Sequence, residues 1–516
     1  MDAVRRANDD VAVTGDVSDE LMSTPWWTDD HMVSHGIPVV DVPLVTVGAG
    51  MGSFALTEYL RMSGLPTSAI AAIGPRSVPY ETYRYLCHNS QIGDDTRIRS
   101  DSSSVMDNVW GWPGYAVREA FSDRPDGMIR PLWSVLTEPL VADYWTPRAG
   151  QVFRSIDREM PRIGWDQMYV PGLVRTIRRR MGGGYFVVNT PPAGTAPTRR
   201  VAYRCRFVHV GVGYPGLRFL PDLQAYRQAH GDYQRVVNAY EPHEHVYEEL
   251  IRRPGIVVVR GSGIVGSRIL ARLIEDRDAH GAQTVIWHLF RNYVGGPQGP
   301  RRFRRPGRDG FAYQGFNFTR AAWGGTVKEQ LAALPDAERP AFIRRIGGTN
   351  TPWRAEWQEQ LDRGRAEGFY RTFAGEVTEV VPGDDRVVTR IVSKDGTRLE
   401  IEAPHIIDAT GLEGTVEDHR LLRELLDHGG ASKSAHGRLA VEPTFELSGS
   451  RSAPGRMYAS GSITLGGPYA PVDSFLGLQY AALQICDDLA SQGFVDRFGR
   501  GRSISGWLKW ARNQPV

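Results

Sequence analysis

Two glycine-rich segments contain residues whose type and spacing could bind phosphate. The first spans residues 48–53 (GAGMGS) and the second spans residues 261–266 (GSGIVG). Glycine has no side chain to keep a phosphate away, so backbone N–H groups and the positive end of a following helix can approach a pyrophosphate at such a turn. The two turns therefore predict two dinucleotide sites, and a chain with two dinucleotides is expected to pass electrons between them. The candidate residues are Gly48, Gly50, Gly52, Ser53, Gly261, Gly263 and Gly266.

The second turn matches the pattern G-x-G-x-x-G in full. It lies between a predicted strand over 256–259 and a predicted helix over 266–276, and a further predicted strand over 284–290 is followed by Arg291. A carboxylate at this strand end usually binds the ribose 2′-hydroxyl of NADH, whereas a guanidinium can pair with the 2′-phosphate of NADPH. Arg291 therefore predicts NADPH at the second turn.

The first turn departs from this pattern at two positions. Ser53 replaces the third glycine, and Gly74 stands where an acidic residue usually ends the second strand. Serine is small enough to keep helix and strand close, and Arg76 offers a donor where the carboxylate is missing. Because an apolar run over 39–47 leads into the turn and a helical pattern over 54–62 follows it, we still predict a dinucleotide site here.

Two further predicted strands end in glycine-containing junctions, at residues 211–213 and 409–411. The order turn, junction, turn, junction is expected when one nucleotide-binding domain is inserted into another. We predict an N-terminal arm over 1–38, a first domain formed by 39–222 and 403–516, and an inserted domain over 223–402.

With both turns and junctions in this order, residues 40–495 resemble the two-dinucleotide-domain flavoproteins. The resemblance is greatest to flavin-containing and Baeyer–Villiger-type monooxygenases, and more distant to pyridine-nucleotide disulfide reductases. It implies an α/β fold in which a Rossmann-like FAD-binding domain contains an inserted second Rossmann-like NADPH-binding domain. Residues 457–462, 466–468 and 477–482 resemble the segment that returns to the flavin, with Ser462 in place of the family's aspartate. The further candidate cofactor-binding residues are Thr410, Gly411, Gly461 and Ser462.

Two branches of this family are disfavoured by missing motifs. The chain has no C-x-x-C pair, so it lacks the dithiol of the disulfide reductases. The Baeyer–Villiger fingerprint F-x-G-x-x-x-H-x-x-x-W/P is represented before the second turn only by a histidine within residues 238–247. We therefore do not assign Baeyer–Villiger chemistry.

No catalytic acid or base is singled out by its spacing, so the catalytic residues stay unknown. Candidates that could line the flavin or the substrate are Asn108, Trp110, Trp112 and His243. The two tryptophans could instead form a satellite core, and His243 could be exposed at the surface. His243 and His245 have no third ligand at a supporting spacing, so we predict no metal site.

Composition limits the class of protein. The chain has 516 residues, 41% of them hydrophobic, and 61 basic and 59 acidic residues give a net charge of +2, which argues against a dedicated nucleic-acid binder. Its three cysteines are far apart, and we find neither a signal peptide nor an apolar stretch of about 18 residues. A cytoplasmic protein without membrane contacts is expected, and its oligomeric state stays open.

Outside the two turns, the pattern predicts irregular segments with short helices over 77–170, a helix over 170–181 and strands over 185–189 and 201–203. A hairpin is predicted over 387–402, and a final helix over 475–489. A basic loop over 301–308 could bind phosphate or an acidic electron-transfer protein.

The function we predict is an FAD- and NADPH-dependent oxidoreductase, namely a monooxygenase that oxidises a small or medium organic substrate with oxygen through a flavin hydroperoxide. One alternative is an NADPH:acceptor reductase that passes electrons through FAD to a carrier protein. Another is a non-catalytic dinucleotide-binding protein, because the usual carboxylates are missing from the FAD site.

Overall fold

Two five-stranded parallel sheets dominate the computed structural model, which describes residues 17–98, 105–122, 127–141, 145–192, 200–291, 325–346 and 355–516. Their central strands are buried along nearly all of their length, which is typical of parallel sheets covered on both faces. In spatial order, the first sheet contains Arg456–Ala459, Phe207–Val210, Leu44–Val47, Ile70–Gly74 and Tyr169–Pro171. The second sheet contains Val236–Asn238, His405–Asp408, Ile256–Arg260, Val285–Phe290 and Tyr370–Ala374.

The unit built on the second sheet is inserted into the unit built on the first. The chain forms four strands of the first sheet, then the whole second sheet, and returns to the first sheet only with Arg456–Ala459. The two connections between the units pair with each other as a short antiparallel ribbon of Gly216–Leu217 and Leu412–Glu413. This topology confirms the predicted α/β fold with one Rossmann-like unit inserted into another.

Each glycine turn joins a central strand to a helix. The helix Met51–Met62 follows the first turn and is almost wholly buried, whereas the helix Ile264–His280 follows the second turn and ends at Gly281 in the left-handed conformation. Both turns therefore lie at the carboxyl ends of their sheets, where ligands bind in folds of this type.

A third sheet packs beside the first and is mixed. It contains Trp26–Trp27, Leu173–Arg180, Tyr185–Thr190, Val201–Cys205 and Val39–Asp41, which confirms the strands predicted near residues 185 and 201. Residues 17–38 of the predicted arm belong to this layer, because Trp27 is fully buried and its Nε1 donates to the carbonyl oxygen of Leu21 at 2.9 Å. The short helices Asp19–Ser23 and Asp29–Ser34 flank this tryptophan in the chain.

The helix predicted over 170–181 is wrong, because these residues form strands instead. The register of Leu173–Arg180 against Tyr185–Thr190 shifts between Val174 and Thr176, where the strand is irregular. Such a bulge places apolar residues at spacings of three and four, which imitate a helix. Arg178 adds to the pattern's ambiguity, since it is a fully buried arginine that donates to the carbonyl oxygen of Thr24 at 3.0 Å.

Two predicted boundaries between units differ from the structure by one strand. The run over 39–47 is divided, since Val39–Asp41 joins the third sheet and Leu44–Val47 joins the first. The strand His405–Asp408 pairs with Ile256–Arg260 in the second sheet, although the return of the first domain was expected from residue 403. The division into domains stays a prediction, with this return placed after that strand.

The remaining elements surround the sheets. The predicted hairpin is confirmed as Val387–Val392 and Arg398–Ala403, which continue a small sheet begun by Glu376–Pro382. The region 77–170 is more regular than expected, since it contains the 15-residue helix Ala149–Ile163. Among the described residues, no helix is both long and apolar enough to span a membrane. The other helices are Glu81–Asn89, Gly114–Ala120, Ile129–Val141, Trp165–Met168, Pro221–His230, Glu244–Arg252, Thr326–Ala333, Arg339–Ile346, Ala355–Ala366, Arg420–Asp427, Phe475–Ser491 and Arg500–Ala511.

Candidate functional site

A cavity of about 460 Å³ lies at the carboxyl ends of the first sheet, beside the first glycine turn. Its wall is mainly apolar. The side chains that enclose it include Val78, Tyr83, Leu86, Phe475 and Leu478. Six of the candidate cofactor-binding residues line the cavity, namely Gly48, Gly50, Gly52, Arg76, Gly461 and Ser462.

The first turn is shaped by Gly48 and is open at Gly50. Gly48 has a φ of +87°, and a Cβ there would lie 2.6 Å from the carbonyl oxygen of Gly211. Gly50 is the N-cap of the helix Met51–Met62, and no side chain of the described residues caps that end. Because Gly50 and Gly52 line the cavity, the first N–H groups of this helix are available to an anion there.

Ser53, in the position of the third glycine, is buried between the helix and the turn. Its Oγ donates to the carbonyl oxygen of Gly48 at 2.5 Å and accepts a hydrogen bond from Thr46 Oγ1 at 2.6 Å. A hydroxyl therefore fills the space in which a third glycine would allow direct backbone contact. Serine is compatible with the turn for this reason.

The hydrogen bonds continue below the turn through residues that were not among the predicted site residues. Thr46 Oγ1 lies 2.8 Å from His209 Nδ1, and His209 Nε2 lies 2.8 Å from Ser460 Oγ. Burial lowers the pKa of His209 to about 3, so its ring is neutral near pH 7. The available sequence signal was a histidine inside the apolar strand Phe207–Val210.

Gly74 ends the second strand because the first turn packs directly against it. A Cβ on Gly74 would lie 2.6 Å from the nitrogen of Ala49 and 2.7 Å from its Cβ, so the usual carboxylate has no space there. Arg76, two residues later, lines the cavity and forms an ion pair with Glu81. This strand end therefore carries a guanidinium, as the sequence predicts.

Ser462 provides a polar atom that lacks a partner. The residue is buried in the wall of the cavity, and within the described part of the chain its Oγ has no hydrogen-bond partner. Burying a hydroxyl in this way costs about 1–3 kcal/mol, and a hydroxyl of a ligand in the cavity would remove that cost. The open helix N-terminus and this serine together fit a dinucleotide with a polyhydroxyl chain, such as FAD.

The second turn has the backbone that its motif predicts. Gly261 has a φ of +123°, and a Cβ there would collide with the carbonyl oxygen of Ala409, while a Cβ on Gly266 would collide with that of Gly261. Gly263 is the N-cap of the helix Ile264–His280, and apart from its chain neighbours no atom of the described residues lies within 4 Å of the Cβ it would carry. This turn too can accommodate a pyrophosphate.

The other candidates near the second turn have different environments. Arg291 is exposed directly after the strand Val285–Phe290, where a 2′-phosphate could approach it. Thr410 is engaged within the protein, because its N–H and Oγ1 donate to Asp408 Oδ1 at 3.0 and 2.6 Å. Asp408 Oδ2 accepts from the N–H of Leu220 at 2.8 Å, so this carboxylate joins both connections between the units. Gly411 has a φ of +120°.

The second unit contributes to the cavity of the first turn. Tyr240, Ile264, Val265 and Leu412 all line it, and Ile264 is the first residue of the helix at the second turn. The units are held together here by Asn89 Nδ2, which donates to the carbonyl oxygen of Tyr240 at 2.8 Å. The cavity therefore extends from one glycine turn to the other.

The tryptophans predicted as possible cavity walls lie elsewhere. Trp110 Nε1 donates to Ser503 Oγ at 3.0 Å, and the rings of Trp110 and Trp112 pack against the C-terminal helix Arg500–Ala511. Asn108 Oδ1 accepts from the backbone N–H groups of both tryptophans at 3.2 Å. These contacts are those of the alternative interpretation, a satellite core, and none of the three residues lines the cavity.

His243 is buried, so the alternative that it lies exposed at the surface is wrong. Its Nδ1 donates to the carbonyl oxygen of Glu241 at 2.7 Å, and its Nε2 accepts from the hydroxyl of Tyr247 at 2.9 Å. Burial lowers the pKa of its imidazole, and the residue does not line the cavity. Within the described ranges, no three His, Cys, Asp or Glu side chains form a group that could hold a metal ion.

Among the described residues that line the cavity, Asp473 is the acidic one. Its Oδ2 accepts a hydrogen bond from the hydroxyl of Tyr214 at 2.6 Å, and across the described segments it has no partner in an ion pair. Burial, followed by the charge of Asp473, raises the pKa of Tyr214, so that phenol is neutral. The other charged residue of the wall, Arg76, is already paired.

Comparison with known proteins supports the fold. No protein-family model matches the chain, and no curated protein matches it in sequence. Among solved structures, DfoA of Erwinia amylovora, a cadaverine monooxygenase bound to FAD, superposes with a TM-score of 0.61 at 13% identity, over 88% of this chain and 96% of that one. The ornithine N-hydroxylase KtzI of Kutzneria sp. 744, with reduced FAD, NADP⁺ and L-ornithine, gives 0.60 at 13% identity over 88% and 100%.

A protein of another activity has the same architecture. The bacillithiol disulfide reductase of Bacillus cereus superposes with a TM-score of 0.51 at 13% identity, over 88% of this chain and 100% of that one. At identities this low the likeness shows the fold alone. The choice among activities therefore depends on the residues of the cavity.

Proposed function

We propose that this chain is an FAD- and NADPH-dependent monooxygenase that transfers one oxygen atom of O₂ to a small organic amine. The observation that carries the proposal is the shared cavity, whose wall includes both the first glycine turn and the first residues of the helix at the second turn, Ile264 and Val265. Cofactors bound at the two turns would share this space.

The chain offers distinct groups to each cofactor. FAD would be held by the first N–H groups of the helix at Met51 and Gly52, by the hydroxyl of Ser462 and, at the strand end, by Arg76. NADPH would be held at the second turn, with its pyrophosphate at Gly263 and its 2′-phosphate at Arg291. Gly48, Gly261 and Gly266 act indirectly, because their close backbone contacts shape the turns.

When bound, the two cofactors would supply hydride transfer from nicotinamide to flavin and the activation of O₂. The reaction balances as amine, O₂, NADPH and one proton giving oxygenated amine, NADP⁺ and water. The protein would contribute by positioning the cofactors and the substrate and by excluding water. Apolar and aromatic side chains, including Val78, Tyr83, Leu86 and Phe475, enclose the cavity for this purpose.

An amine is proposed because of Asp473. A carboxylate in a mainly apolar wall, with a neutral tyrosine as its partner, favours a cation. Asp473 would bind a substrate ammonium group or accept its proton before oxygenation. The names of two structurally similar enzymes, a cadaverine monooxygenase and an ornithine N-hydroxylase, support the same substrate class.

The main alternative is an NADPH:acceptor reductase that passes electrons to a carrier protein. The cysteines do not favour dithiol chemistry, since Cys87 lines the cavity but burial raises its pKa to about 12, which keeps the thiol protonated. Cys205 and Cys486 are also buried, and neither forms a disulfide. The basic loop over 301–308, which could dock a carrier, lies outside the described residues.

The test is an absorbance spectrum followed by a turnover assay with a panel of diamines and amino acids in air. Bound FAD and NADPH oxidation matched by an oxygenated amine are the expected results. Turnover that requires an added carrier protein would contradict the proposal in favour of the reductase. A colourless protein that takes up no FAD would favour the non-catalytic alternative.

Asp473→Asn tests the substrate class. We expect KM for a cationic amine to rise about ten-fold, because a charge-assisted contact is lost, while the affinity for NADPH stays unchanged. Tyr214→Phe is the matched control, since it removes the hydrogen bond but keeps the carboxylate, and its effect on KM should be smaller. An Asp473→Asn variant with the KM of the parent would exclude this role.

A further inference from the structure

Four hydrogen bonds form a continuous chain under the first glycine turn. It begins at the hydroxyl of Ser460, passes through His209, Thr46 and Ser53, and ends at the carbonyl oxygen of Gly48. The distances, in that order, are 2.8, 2.8, 2.6 and 2.5 Å. All four side chains are at most 3% exposed.

The donor and the acceptor of each of these four hydrogen bonds can be assigned in only one way. The carbonyl oxygen of Gly48 accepts, so the single hydroxyl proton of Ser53 is used there, and Thr46 must donate to Ser53. Thr46 then has only lone pairs for the imidazole, so His209 Nδ1–H donates to it. His209 Nε2 carries no proton and accepts from Ser460. A single neutral tautomer of His209 satisfies every group.

We propose that His209 is a positioning residue for the dinucleotide at the first turn. The inference rests on the proposed FAD site. Because Ser460 gives its proton to His209, it presents only acceptor lone pairs to the cavity that it lines. The carbonyl of Gly48 accepts from Ser53 and from the N–H of Gly50 at 2.7 Å, so the N–H groups left for the ligand are those at the start of the helix, at Met51 and Gly52.

The two ends of this hydrogen-bond chain lie at the proposed FAD site, so His209 is expected to affect FAD binding in addition to protein stability. One end is the glycine turn, and the other is the returning segment, in which Ser460 precedes Gly461 and Ser462, whose Oγ has no hydrogen-bond partner among the described residues. These are the two regions of the wall that would hold the pyrophosphate and the polyhydroxyl chain of the same ligand. His209 links them through the sheet without touching the ligand.

Thr46→Val and Thr46→Ser form the decisive pair of variants. Valine has the shape of threonine but breaks the chain at its centre, whereas serine keeps the hydroxyl. We expect the FAD dissociation constant of Thr46→Val to rise about ten-fold, and that of Thr46→Ser to stay within about two-fold. Titration of FAD-free protein, followed by flavin fluorescence, measures both values.

Two further measurements distinguish a positioning role of His209 from simple destabilisation of the protein, namely a double variant and the comparison of FAD with NADP⁺ binding. Ser460→Ala should also weaken FAD about ten-fold, and the double variant with Thr46→Val should lose little more, because both break one chain. The NADP⁺ dissociation constant should not change. Tyr370→Phe, which removes the hydroxyl that donates to His288 Nδ1 beneath the second turn, is the control and should weaken NADP⁺ but not FAD.

Each unfavourable outcome has a separate meaning. If the parent binds FAD and Thr46→Val binds it as tightly as Thr46→Ser, the positioning role is wrong while the proposed function stands. Equal losses of FAD and NADP⁺ would also overturn it, because they indicate general destabilisation. If the parent protein binds no FAD, the proposed function fails, and the assignment of His209 fails with it.

Discussion

Beneath the second glycine turn, the carbonyl oxygen of Gly261 accepts a hydrogen bond directly from His288 Nε2 at 2.8 Å. Beneath the first turn, the equivalent oxygen of Gly48 accepts from Ser53, and the buried histidine lies two hydrogen bonds farther away. The third position of the motif accounts for the difference. Gly266 lets the helix approach so closely that a Cβ would strike Gly261, whereas Ser53 keeps its side chain and donates from it.

The two histidines consequently adopt opposite tautomers. His288 donates from Nε2 and accepts at Nδ1 from the hydroxyl of Tyr370 at 2.9 Å, while His209 donates from Nδ1 and accepts at Nε2. The requirement common to both turns is therefore a buried donor for the first glycine carbonyl. A third glycine is one way to organise that donor, and a serine is another.

The largest expected effect on FAD binding comes from a glycine whose backbone shape the turn requires, in contrast to a glycine that only leaves space for the ligand. Gly48→Ala introduces a Cβ 2.6 Å from a backbone oxygen at a φ of +87°. We therefore expect the FAD dissociation constant to rise more than about 100-fold and the Tm to fall. Gly50→Ala, whose Cβ would lie 3.8 Å from the carbonyl oxygen of Pro79 in ordinary van der Waals contact, should keep the Tm and lose only FAD affinity. Thermal unfolding and FAD titration measure the two effects.

The same division should hold at the second turn. Gly261→Ala should lower Tm. Gly263→Ala should weaken NADPH binding alone, since apart from chain neighbours no atom of the described residues lies within 4 Å of the added Cβ. Equal Tm losses for Gly261→Ala and Gly263→Ala would show that the backbone of this turn does not have the geometry described.

The strand ends that follow the two turns differ in a second way. Arg291 is exposed and Arg76 is paired with Glu81, so Arg291→Ala should raise the dissociation constant for NADPH about 30-fold and leave NADH nearly unchanged. Arg76→Ala is the matched control and should not change the preference between the two nicotinamide cofactors. Equal losses of NADPH and NADH in Arg291→Ala would refute the 2′-phosphate assignment.

The parts of the molecule predicted from sequence are those whose information is local. A strand, a glycine turn and a helix follow each other within about 20 residues, so both nucleotide-binding units and their nesting were predictable. The error over 170–181 was local too, because the irregular pairing between Val174 and Thr176 gave a strand the spacing of a helix.

The missed parts of the site depend on contacts between distant residues. Thr46, His209 and Ser460 lie on three strands or their ends and meet only when the first sheet forms. In the same way, Trp110 requires burial, but its partner helix Arg500–Ala511 lies almost 400 residues away and gives no local signal. Residue type predicted that these side chains need partners, and only the fold identifies them.

The smallest expected effect is the response of the two buried histidines to acid. Burial lowers the pKa of His209 to about 3 and that of His288 to about 4, from an ordinary value of 6.5. As pH falls below 6.5, the unfolded chain binds protons that the folded chain does not, so the free energy of unfolding decreases, by at most about 1.4 kcal/mol per pH unit for each ring.

Replacing either histidine should remove its part of this slope. Urea unfolding of His209→Phe at pH 7, 6 and 5 should give a shallower loss of unfolding free energy than in the parent, whatever the variant's absolute stability. His288→Phe should behave alike above pH 4, where its native ring begins to bind a proton, whereas the contribution of His209 should persist to about pH 3. A His209→Phe slope equal to that of the parent would mean that His209 binds a proton as readily in the fold as in the unfolded chain, which is incompatible with a buried ring that accepts from Ser460.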